Sequence, residues 1–259
     1  MAATKSVKEV KDESIQILEV KQATMDFCIL GMTPLIMNRM PAKVMNELLA
    51  GSVKKNSAEK ASTLKHLPIQ EYRDSAYQIK GNTPTLLGIL PTAFKKAMGT
   101  AALDMPGAKK AQILRLIYVN GEMTPVYGIP KIFLAITRNS DIKHTPDVRT
   151  RAILPEWACR LSLTFTQPIM REQSIANLLA AAGFQSGVGD WRNEKGSGNY
   201  GAFKLVGPDD PDFVRIVSTQ ARAEQIEALA NPVSYNDETS EILAWFDVES
   251  RRRGFKVAA

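Results

Sequence analysis

The sequence predicts an α+β protein with a ferredoxin-like, RNA-recognition-motif-like antiparallel sheet, helices on one face of that sheet, insertions and a helical C-terminal tail. Residues 158–206 have the order strand, helix, glycine-rich loop, strand, and residues 25–138 contain a looser copy of the same order. Two such halves are what this fold requires. A chain of 259 residues with 44% hydrophobic content is also long enough to bury one large core.

The first half begins at the apolar run MDFCIL (25–30), which is typical of a buried strand. Residues 41–50 open with a proline and predict a short helix. Residues 92–103 carry apolar side chains at helical spacing behind a threonine, which predicts a capped helix. The apolar runs at 113–119 and 131–138 predict two strands.

The second half begins with the clearest alternation in the chain, at 158–166, where every second residue is apolar. This pattern predicts a strand with one buried face. The segment REQSIANLLAAAGF predicts a helix that ends at Gly183, because glycine readily adopts a left-handed helix cap. The run YGAFKLV then predicts the last strand of the sheet.

Composition changes along the chain predict three regions. Residues 1–23 mix charges of both signs without an apolar period, which indicates a solvated arm. Residues 24–206 hold the predicted domain, with a basic loop at 52–66. Residues 207–259 begin with the turn-rich GPDDPD and predict a linker followed by two helices.

The formal net charge of +6 and the isoelectric point near 9.2 favour a polyanionic partner. The candidate contacts are Lys54 and Lys55 in the basic loop, Lys95 and Lys96 outside the apolar stripe of their helix, and Arg149 and Arg151 on one side of an extended segment. Solvated surface segments account for the same charges, so both interpretations stay open.

The stretch GVGDWRNEKGSGNYGAF (187–203) holds five glycines. It follows a helix and lacks the third glycine of a dinucleotide fingerprint, and it contains neither the GK[ST] of a P-loop nor the serine position of a nucleophile elbow. What remains is a phosphate-binding loop or a long hairpin with a buried tryptophan. In the first interpretation the contacts are the amides of Gly187 and Gly189, the ring of Trp191 and the charges of Arg192 and Lys195.

Several function classes are disfavoured. The two cysteines, Cys28 and Cys159, lie in apolar runs, and the spacing of histidine and cysteine fits no metal motif, so we expect no disulfide, metal or cofactor. The first residues, MAATKSVKEVKDES, contain no apolar stretch of signal-peptide length, and no later segment is long and apolar enough to span a bilayer. We therefore expect a cytoplasmic protein that does not contact membranes.

The stretch ANLLAAAGFQSGVGDWRNEKGSGNYGAFKL resembles the C-terminal glycine-rich loop of the RAMP superfamily, the repeat-associated RNA-binding proteins of CRISPR effector complexes. It is similar in particular to phage- and prophage-type proteins related to CRISPR backbone subunits. The segments TPLIMNRM, GILPTAFKKAMGTAA and RAILPEW support the resemblance.

The resemblance implies a non-catalytic subunit that binds single-stranded RNA or DNA along its phosphate backbone. It further implies head-to-tail stacking with copies of itself, alongside other subunits of a phage or CRISPR-like complex. Gly187, Gly189, Trp191 and Arg192 match the glycine loop, Lys95 and Lys96 match a basic helix edge, and residues 52–66 take the place of a protruding thumb.

Two other function classes stay open. A structural protein, or a mimic that interferes with CRISPR complexes, would keep the fold without binding nucleic acid. A metal-independent RNA endonuclease would use His66 and His144, because both lie in polar, lysine-containing segments and histidine can act as general acid and base.

Overall fold

Two antiparallel sheets organise the computed structural model, which describes residues 19–51, 63–138, 146–195 and 198–255. The candidate contacts Lys54 and Lys55, most of the predicted arm and His144 lie outside these residues.

The strands are β1 (Lys21–Gly31), β2 (Leu35–Ile36), β3 (Gly88–Ile89), β4 (Ile117–Val119), β5 (Thr124–Tyr127), β6 (Lys131–Arg138), β7 (Pro146–Leu154), β8 (Ala158–Gln167) and β9 (Phe203–Val206). The helices are α1 (Ala42–Ala50), α2 (Pro68–Ser75), α3 (Pro91–Ala101), α4 (Lys110–Leu116), α5 (Glu172–Gln185), α6 (Pro211–Thr219), α7 (Arg222–Ala230) and α8 (Asp237–Arg252).

The main sheet has the strand order of a ferredoxin-like fold. β9 pairs with β1, β1 with β8, and β8 with both β4 and β5, all antiparallel. Along the chain, β1 is the first strand position of the fold, β4 and β5 together are the second, β8 is the third and β9 is the fourth. Across the sheet the order is therefore fourth, first, third, second, and α3 and α5 are the two crossover helices. The predicted α+β, ferredoxin-like fold class is confirmed.

The core lies between the main sheet and the crossover helices. Leu161, Leu163 and Phe165 of β8 share one hydrophobic cluster with Phe94 of α3 and with α5. Phe94 also meets Phe203 of β9 edge to face, with ring centroids 5.7 Å apart. Burial of this alternating face fixes the register, because a one-residue slip would turn every apolar side chain of β8 toward solvent.

The first strand begins earlier than the sequence predicts. The β1–β8 ladder runs from the pair Lys21–Gln167 to the pair Leu30–Ala158. Residues 21–23, assigned above to the solvated arm, therefore belong to the sheet. The reason is tertiary, because backbone pairing with β8 orders a segment whose own composition is polar.

A second sheet has the order β2–β7–β6; β6 and β7 lie between β5 and β8 in the chain, and β2 follows β1. The β6–β7 ladder extends from the pair Lys131–Ile153 to the pair Arg138–Pro146. Ile132, Leu134 and Ala152 turn their side chains into the main core. The glycine-rich loop packs on the opposite, outer face of this ladder.

Three local predictions are wrong. The helix predicted at 92–103 is not capped by Thr92, because α3 begins at Pro91 and Thr92 lies inside it. Residues 113–116 are helical, within α4, and only 117–119 form a strand. Leu114 packs over Gly99 of α3, where an added Cβ would lie 2.8 Å from the leucine side chain, and this contact fits a helix. Gly183 does not end its helix, since α5 continues to Gln185; the glycine is required because a Cβ there would overlap the Phe203 carbonyl oxygen.

The C-terminal region is packed onto the domain and contains one helix more than predicted. The sequence indicated α7 and α8 but not α6, whose N-terminus is capped by Asp210. Phe213 and Ile216 of α6 pack against Leu30 and Ala158, on the face of the main sheet opposite the crossover helices. Apolar spacing in this short helix, behind two prolines and an aspartate, was the signal that could have revealed it.

The buried Gln225 of α7 shows how closely this region joins the domain. Its side chain accepts hydrogen bonds from the amides of Leu86 and Leu87 and donates to the carbonyls of Val126 and Gly128. All of these groups lie in the segments around β3 and β5. No helix among the described residues is long and apolar enough to cross a lipid bilayer.

Candidate nucleic-acid interface

The outer face of the β6–β7 ladder brings an aromatic ring and two arginines together. Phe133 and Ala135 of β6 lie directly opposite Arg151 and Arg149 of β7. Because side chains alternate along a strand, all four residues share this face. The predicted pairing of Arg149 and Arg151 on one side of an extended segment therefore matches the strand geometry.

The glycine-rich loop adds two further rings around Phe133. Trp191 meets Phe133 edge to face at a centroid distance of 6.1 Å, and Tyr200 lies 6.3 Å from both rings. Tyr235, from the C-terminal region, contacts Phe133 from another side at 5.6 Å. Trp191, Tyr200 and Tyr235 are half-buried, so each ring is partly covered and partly accessible.

We call the patch formed by Phe133, Arg149, Arg151, Trp191, Tyr200 and Tyr235 the aromatic–arginine surface. Sequence reasoning missed Phe133, Tyr200 and Tyr235. Alternation in KIFLAITR was a signal for Phe133, whereas nothing local places Tyr235 here. Its position depends on the backbone bonds that link Ile132 to Val233 and Tyr235.

Arg151 is the deeper of the two arginines, with 17% of its side chain exposed against 43% for Arg149. A carboxylate oxygen of Asp190 lies 3.8 Å from its Nε. Burial lowers the pKa of the Arg151 guanidinium, Asp190 opposes this change, and the neighbouring Arg149 adds to it. Its Nε is buried and donates no hydrogen bond to the described residues, so this atom has unused donor capacity.

Arg149 belongs to a charged chain at the end of the ladder. Its guanidinium lies 3.4 Å from one carboxylate oxygen of Asp147. The other oxygen accepts a hydrogen bond from Lys65 at 2.7 Å and lies 3.1 Å from Nε2 of His66. Burial alone would raise the pKa of Asp147. The hydrogen bond and charge of Lys65, together with His66, outweigh burial and hold this pKa below its ordinary value.

The loop glycines are used for close packing within the loop. Gly187 and Gly189 have φ angles of 67° and 87°, and a Cβ on Gly189 would lie 2.6 Å from the Ile36 carbonyl oxygen. A Cβ on Gly201 would overlap the Val188 carbonyl, and one on Gly198 would overlap the Trp191 carbonyl. Gly187, Gly198 and Gly201 must be glycines for the two arms of the loop to touch, and Gly189 must be glycine for the loop to lie against β2.

The loop amides donate mainly within the protein. Those of residues 187, 188, 190, 191 and 201 donate to Ala182, Gly201, Ile36, Asp190 and Pro34, respectively. The amide of Gly187, one of the two predicted phosphate contacts, is therefore already engaged within the protein.

Arg192 braces the loop. Its guanidinium donates to a Glu194 carboxylate oxygen at 2.6 Å and to the Gly189 carbonyl at 3.2 Å. The other Glu194 oxygen accepts from Thr100 of α3, one helical turn beyond the exposed Lys96. The structure thus turns Arg192 toward Glu194 and Gly189 of its own loop, and the same Glu194 bonds to α3 one turn from Lys96. Lys95 is half-buried on α3, and Lys195 lies in a short 3₁₀ turn, Asn193–Lys195.

A second polar patch lies on the main sheet, on the face opposite the crossover helices and beyond the area that α6 covers. Thr24 and Thr164 share a hydrogen bond of 2.8 Å, and Asn120 bonds to both Thr164 and Ser162. Tyr118 is directly opposite Thr164 and is 60% exposed. We call this patch the open-sheet surface.

His66 is the candidate catalytic residue that the structure describes. Its Nδ1 lies 2.9 Å from Glu71 and its Nε2 lies 3.1 Å from Asp147, so both ring nitrogens face carboxylates. The described residues contain no cluster of three or more potential metal ligands.

No protein-family model matches the chain, and no curated protein matches it. Among solved structures, Cmr6 from Pyrococcus furiosus is similar, with a TM-score of 0.36 and 8% identity over 72% of this chain and 98% of that chain. A likeness of this size does not define the function of the chain.

Proposed function

We propose that this protein is a non-catalytic, RAMP-like subunit that binds single-stranded RNA or DNA through the aromatic–arginine surface. In this proposal it also assembles with copies of itself, and with other subunits, into a filament or multi-subunit complex. One observation carries the proposal: Arg149 and Arg151, from β7, lie on the same face of one sheet as Trp191 and Tyr200, from the glycine-rich loop.

The two residue types supply complementary contacts. Half-buried rings can stack on bases of any sequence, and each stacked base contributes about 1–3 kcal/mol. Arginines bind phosphate oxygens through charge-assisted, often bidentate hydrogen bonds. The exposed guanidinium of Arg149 suits this role, and the partly exposed side chain of Arg151 lies on the same face. Binding of this kind tracks the backbone and does not select a sequence.

Within the proposal, the predicted site residues take different roles. Trp191, Arg149 and Arg151 contact the strand directly. Gly187, Gly189 and Arg192 position the loop, because Gly187 and Arg192 contact other loop residues and Gly189 lies against Ile36 of β2. Lys95, Lys96 and Lys195 contribute positive charge around the loop, as Lys54 and Lys55 would from the segment outside the described residues.

A structural subunit without nucleic-acid binding is the second candidate, and the acidic neighbours favour it. Arg149 lies beside Asp147, Arg151 beside Asp190, and Arg192 beside Glu194. A phosphate must therefore compete with a carboxylate at each arginine.

Binding measured against salt separates the two candidates. Fluorescence anisotropy with labelled single-stranded RNA and DNA of several sequences should give similar affinities that fall steeply as salt rises. The logarithm of affinity should decrease by about 0.7 per neutralised phosphate for each unit of log salt. Absence of binding at low salt by the folded, nuclease-treated protein would favour the structural candidate.

A separate assay tests the proposal that the protein does not cleave nucleic acid. Labelled RNA incubated with excess protein and with chelator should remain intact, and the His66→Ala variant should behave in the same way. Cleavage by the wild type that disappears in this variant would support the endonuclease alternative instead.

A further inference from the structure

A cleft of about 500 Å³ lies between α4 and α5, at the end of the main sheet where β4 begins and β8 ends. One wall is α4 with the residue before it, the second is the first two turns of α5, and the segment 105–108 forms a third. The cleft shares no residue with the aromatic–arginine surface. Its size lies within the range of small-molecule pockets, about 300–1,000 Å³.

The floor of the cleft is apolar. Ile113 from α4, Leu178 from α5 and Met170 from the turn before α5 are all buried and belong to the main hydrophobic core. Because the core holds these side chains in place, the floor is formed before any ligand arrives. Such a floor can cover the face of a ring or another apolar part of a ligand.

Two cations line the cleft, Lys109 from the first wall and Arg171 from the second. Neither side chain forms a hydrogen bond or an ion pair with the described part of the chain, and none of the described lining residues is an aspartate or a glutamate. By contrast, Arg151 and Arg192 each lie beside a carboxylate. Because no acidic side chain competes at the cleft, its cations suit an anionic ligand, above all a phosphate, whose oxygens accept several charge-assisted bonds at once.

Two carboxamides line the same space from opposite walls, Gln112 on α4 and Asn177 on α5. The Oδ1 of Asn177 accepts a hydrogen bond of 2.9 Å from Gln173, so its Nδ2 remains a donor toward a ligand. Gln112 makes no side-chain hydrogen bond with the described residues and therefore offers both a donor and an acceptor. Carboxamides pair with the donor and acceptor edges of nucleic-acid bases, adenine in particular.

We propose that this cleft binds a nucleotide, with the phosphate on Lys109 and Arg171, the base over the apolar floor, and the edge of the base on Gln112 and Asn177. The inference goes beyond the proposed function and does not rest on it, because the aromatic–arginine surface contributes nothing to the cleft. The nucleotide is either free in solution or one unit of a bound strand, since both sources present the same base and phosphate.

The combination of groups favours a nucleotide over simpler anions. Inorganic phosphate would contact the two cations but leave the floor and both carboxamides unused. A fatty acid would cover the floor, yet its tail would bury Gln112 and Asn177 against hydrocarbon, and an amide without a hydrogen-bond partner is costly there. A nucleotide uses the cations, the floor and the carboxamides together.

Isothermal titration calorimetry on the nuclease-treated protein tests the proposal. The probes are adenosine 5′-monophosphate, adenosine and inorganic phosphate. We expect the nucleotide to bind on the order of 10-fold more tightly than either fragment, because each fragment lacks one set of contacts. Equal affinities for the nucleotide and for phosphate would indicate a simple anion site and overturn the proposal. Absence of binding at about 10 mM nucleotide would overturn it as well.

Lys109→Gln and Lys110→Gln form a matched pair of variants, since the two lysines are adjacent and exposed but only Lys109 lines the cleft. We expect Lys109→Gln to weaken nucleotide binding on the order of 10-fold and Lys110→Gln to leave it within about twofold. Arg171→Gln should cause a similar loss, and because the Arg171 side chain does not cap α5, the helix should stay intact. Equal losses in the two lysine variants would mean that net charge binds the nucleotide, which overturns the site.

Filling the cleft tests its shape separately from its charge. Ser174 is exposed and lines the α5 wall, so Ser174→Leu adds bulk there while both cations remain. We expect this variant to bind adenosine 5′-monophosphate on the order of 10-fold more weakly, because the added side chain occupies space that the ligand needs. Wild-type affinity in Ser174→Leu would overturn the placement of the ligand in the cleft.

Anisotropy with a labelled single strand identifies the source of the nucleotide. If a bound strand supplies it, Lys109→Gln should weaken strand binding by the same factor as nucleotide binding. If the ligand is a free nucleotide, strand affinity should not change, and either result supports a nucleotide site. The Arg149→Ala, Arg151→Ala variant should bind adenosine 5′-monophosphate like the wild type, which distinguishes failure of the cleft from failure of the proposed function. Loss of mononucleotide binding in that variant would overturn the inference that the two sites are separate.

Discussion

The aromatic–arginine surface and the open-sheet surface both expose rings beside polar groups, yet their polar groups differ in charge. The first carries Arg149 and Arg151 next to its rings. The second carries Thr24, Asn120 and Thr164, whose side chains are hydrogen-bonded to one another. Neutral groups that already satisfy each other offer little to a phosphate, whereas an exposed guanidinium such as that of Arg149 can form a charge-assisted bond. The comparison teaches that positive charge, rather than exposed rings alone, assigns the interface.

The aromatic–arginine surface depends on the glycine-rich loop, and we expect the Gly201→Ala variant to disrupt that loop most severely. Gly201 has a φ of 72°, and an added Cβ would overlap the Val188 carbonyl. We expect a loss of about 2–4 kcal/mol in the free energy of unfolding, from backbone strain combined with overpacking. Urea denaturation followed by circular dichroism measures it.

Gly81→Ala is the matched control for this variant, because Gly81 has a φ of 88° with no atom within 4 Å of a new Cβ. This substitution should lower the free energy of unfolding only through backbone strain, by about 1 kcal/mol. Equal losses at the two positions would mean that the loop is not tightly packed around Gly201.

Removing the arginines should affect nucleic-acid binding more than any other change to side chains. We expect the Arg149→Ala, Arg151→Ala variant to lose on the order of 10- to 100-fold in affinity for each phosphate contact. The slope of log affinity against log salt should become shallower by about 1.4 on single strands. Anisotropy titrations at several salt concentrations give both quantities.

Arg115→Ala is the control for charge alone. Arg115 is exposed on α4 and donates only to the Ala111 carbonyl of its own helix among its described hydrogen bonds. A loss of affinity in this control equal to that of the double variant would mean that the arginines act through net charge and that the surface is misplaced.

A pair of ring substitutions sharpens the comparison between the surfaces. Trp191→Ala should weaken binding by about 1–3 kcal/mol if a base stacks on the indole. Tyr118→Ala, on the open-sheet surface, should leave affinity unchanged within about twofold, a difference of less than 0.5 kcal/mol. The reverse result in folded variants would move the interface to the main sheet.

The smallest effect concerns acid stability. Asp147 has a lowered pKa in the folded protein, so its contribution to stability is present above the ordinary value of 3.8 and is lost as the pH falls through the lower folded value. Asp147→Asn should be slightly less stable than the wild type at neutral pH and should lose less stability on acidification. Thermal unfolding between neutral and strongly acidic pH tests this, and parallel curves for the two proteins would contradict it.

Local patterns were sufficient for several elements and not for others. The alternation at 158–166 predicted β8 because one face of that strand is buried and the other is polar. The strand predicted at residues 113–116 was wrong, because apolar residues in a short run fit a helix and a strand equally well. Packing of Leu114 against Gly99 is what fixes the helix, and that contact is invisible in a linear pattern.

The candidate interface shows the same division. Sequence reasoning predicted Arg149, Arg151 and Trp191 from residue type and spacing. It did not predict that Arg192 turns into its own loop, since the partners Gly189 and Glu194 are selected by loop geometry. Tyr235 was beyond prediction, because it lies about a hundred residues from Phe133 in the chain and reaches it through long-range backbone pairing.

The sequence by itself determined the fold class, because strand and helix periodicities and the order of the two halves are local properties of the chain. It also determined which residue types can contact a nucleic acid. Only the tertiary structure decided which of them share a surface, how deeply each is buried and which donors are already engaged. The physical reason is that burial and hydrogen-bond satisfaction depend on neighbours that are distant in sequence, such as β6, β7, the glycine-rich loop and the C-terminal region that meet around Phe133.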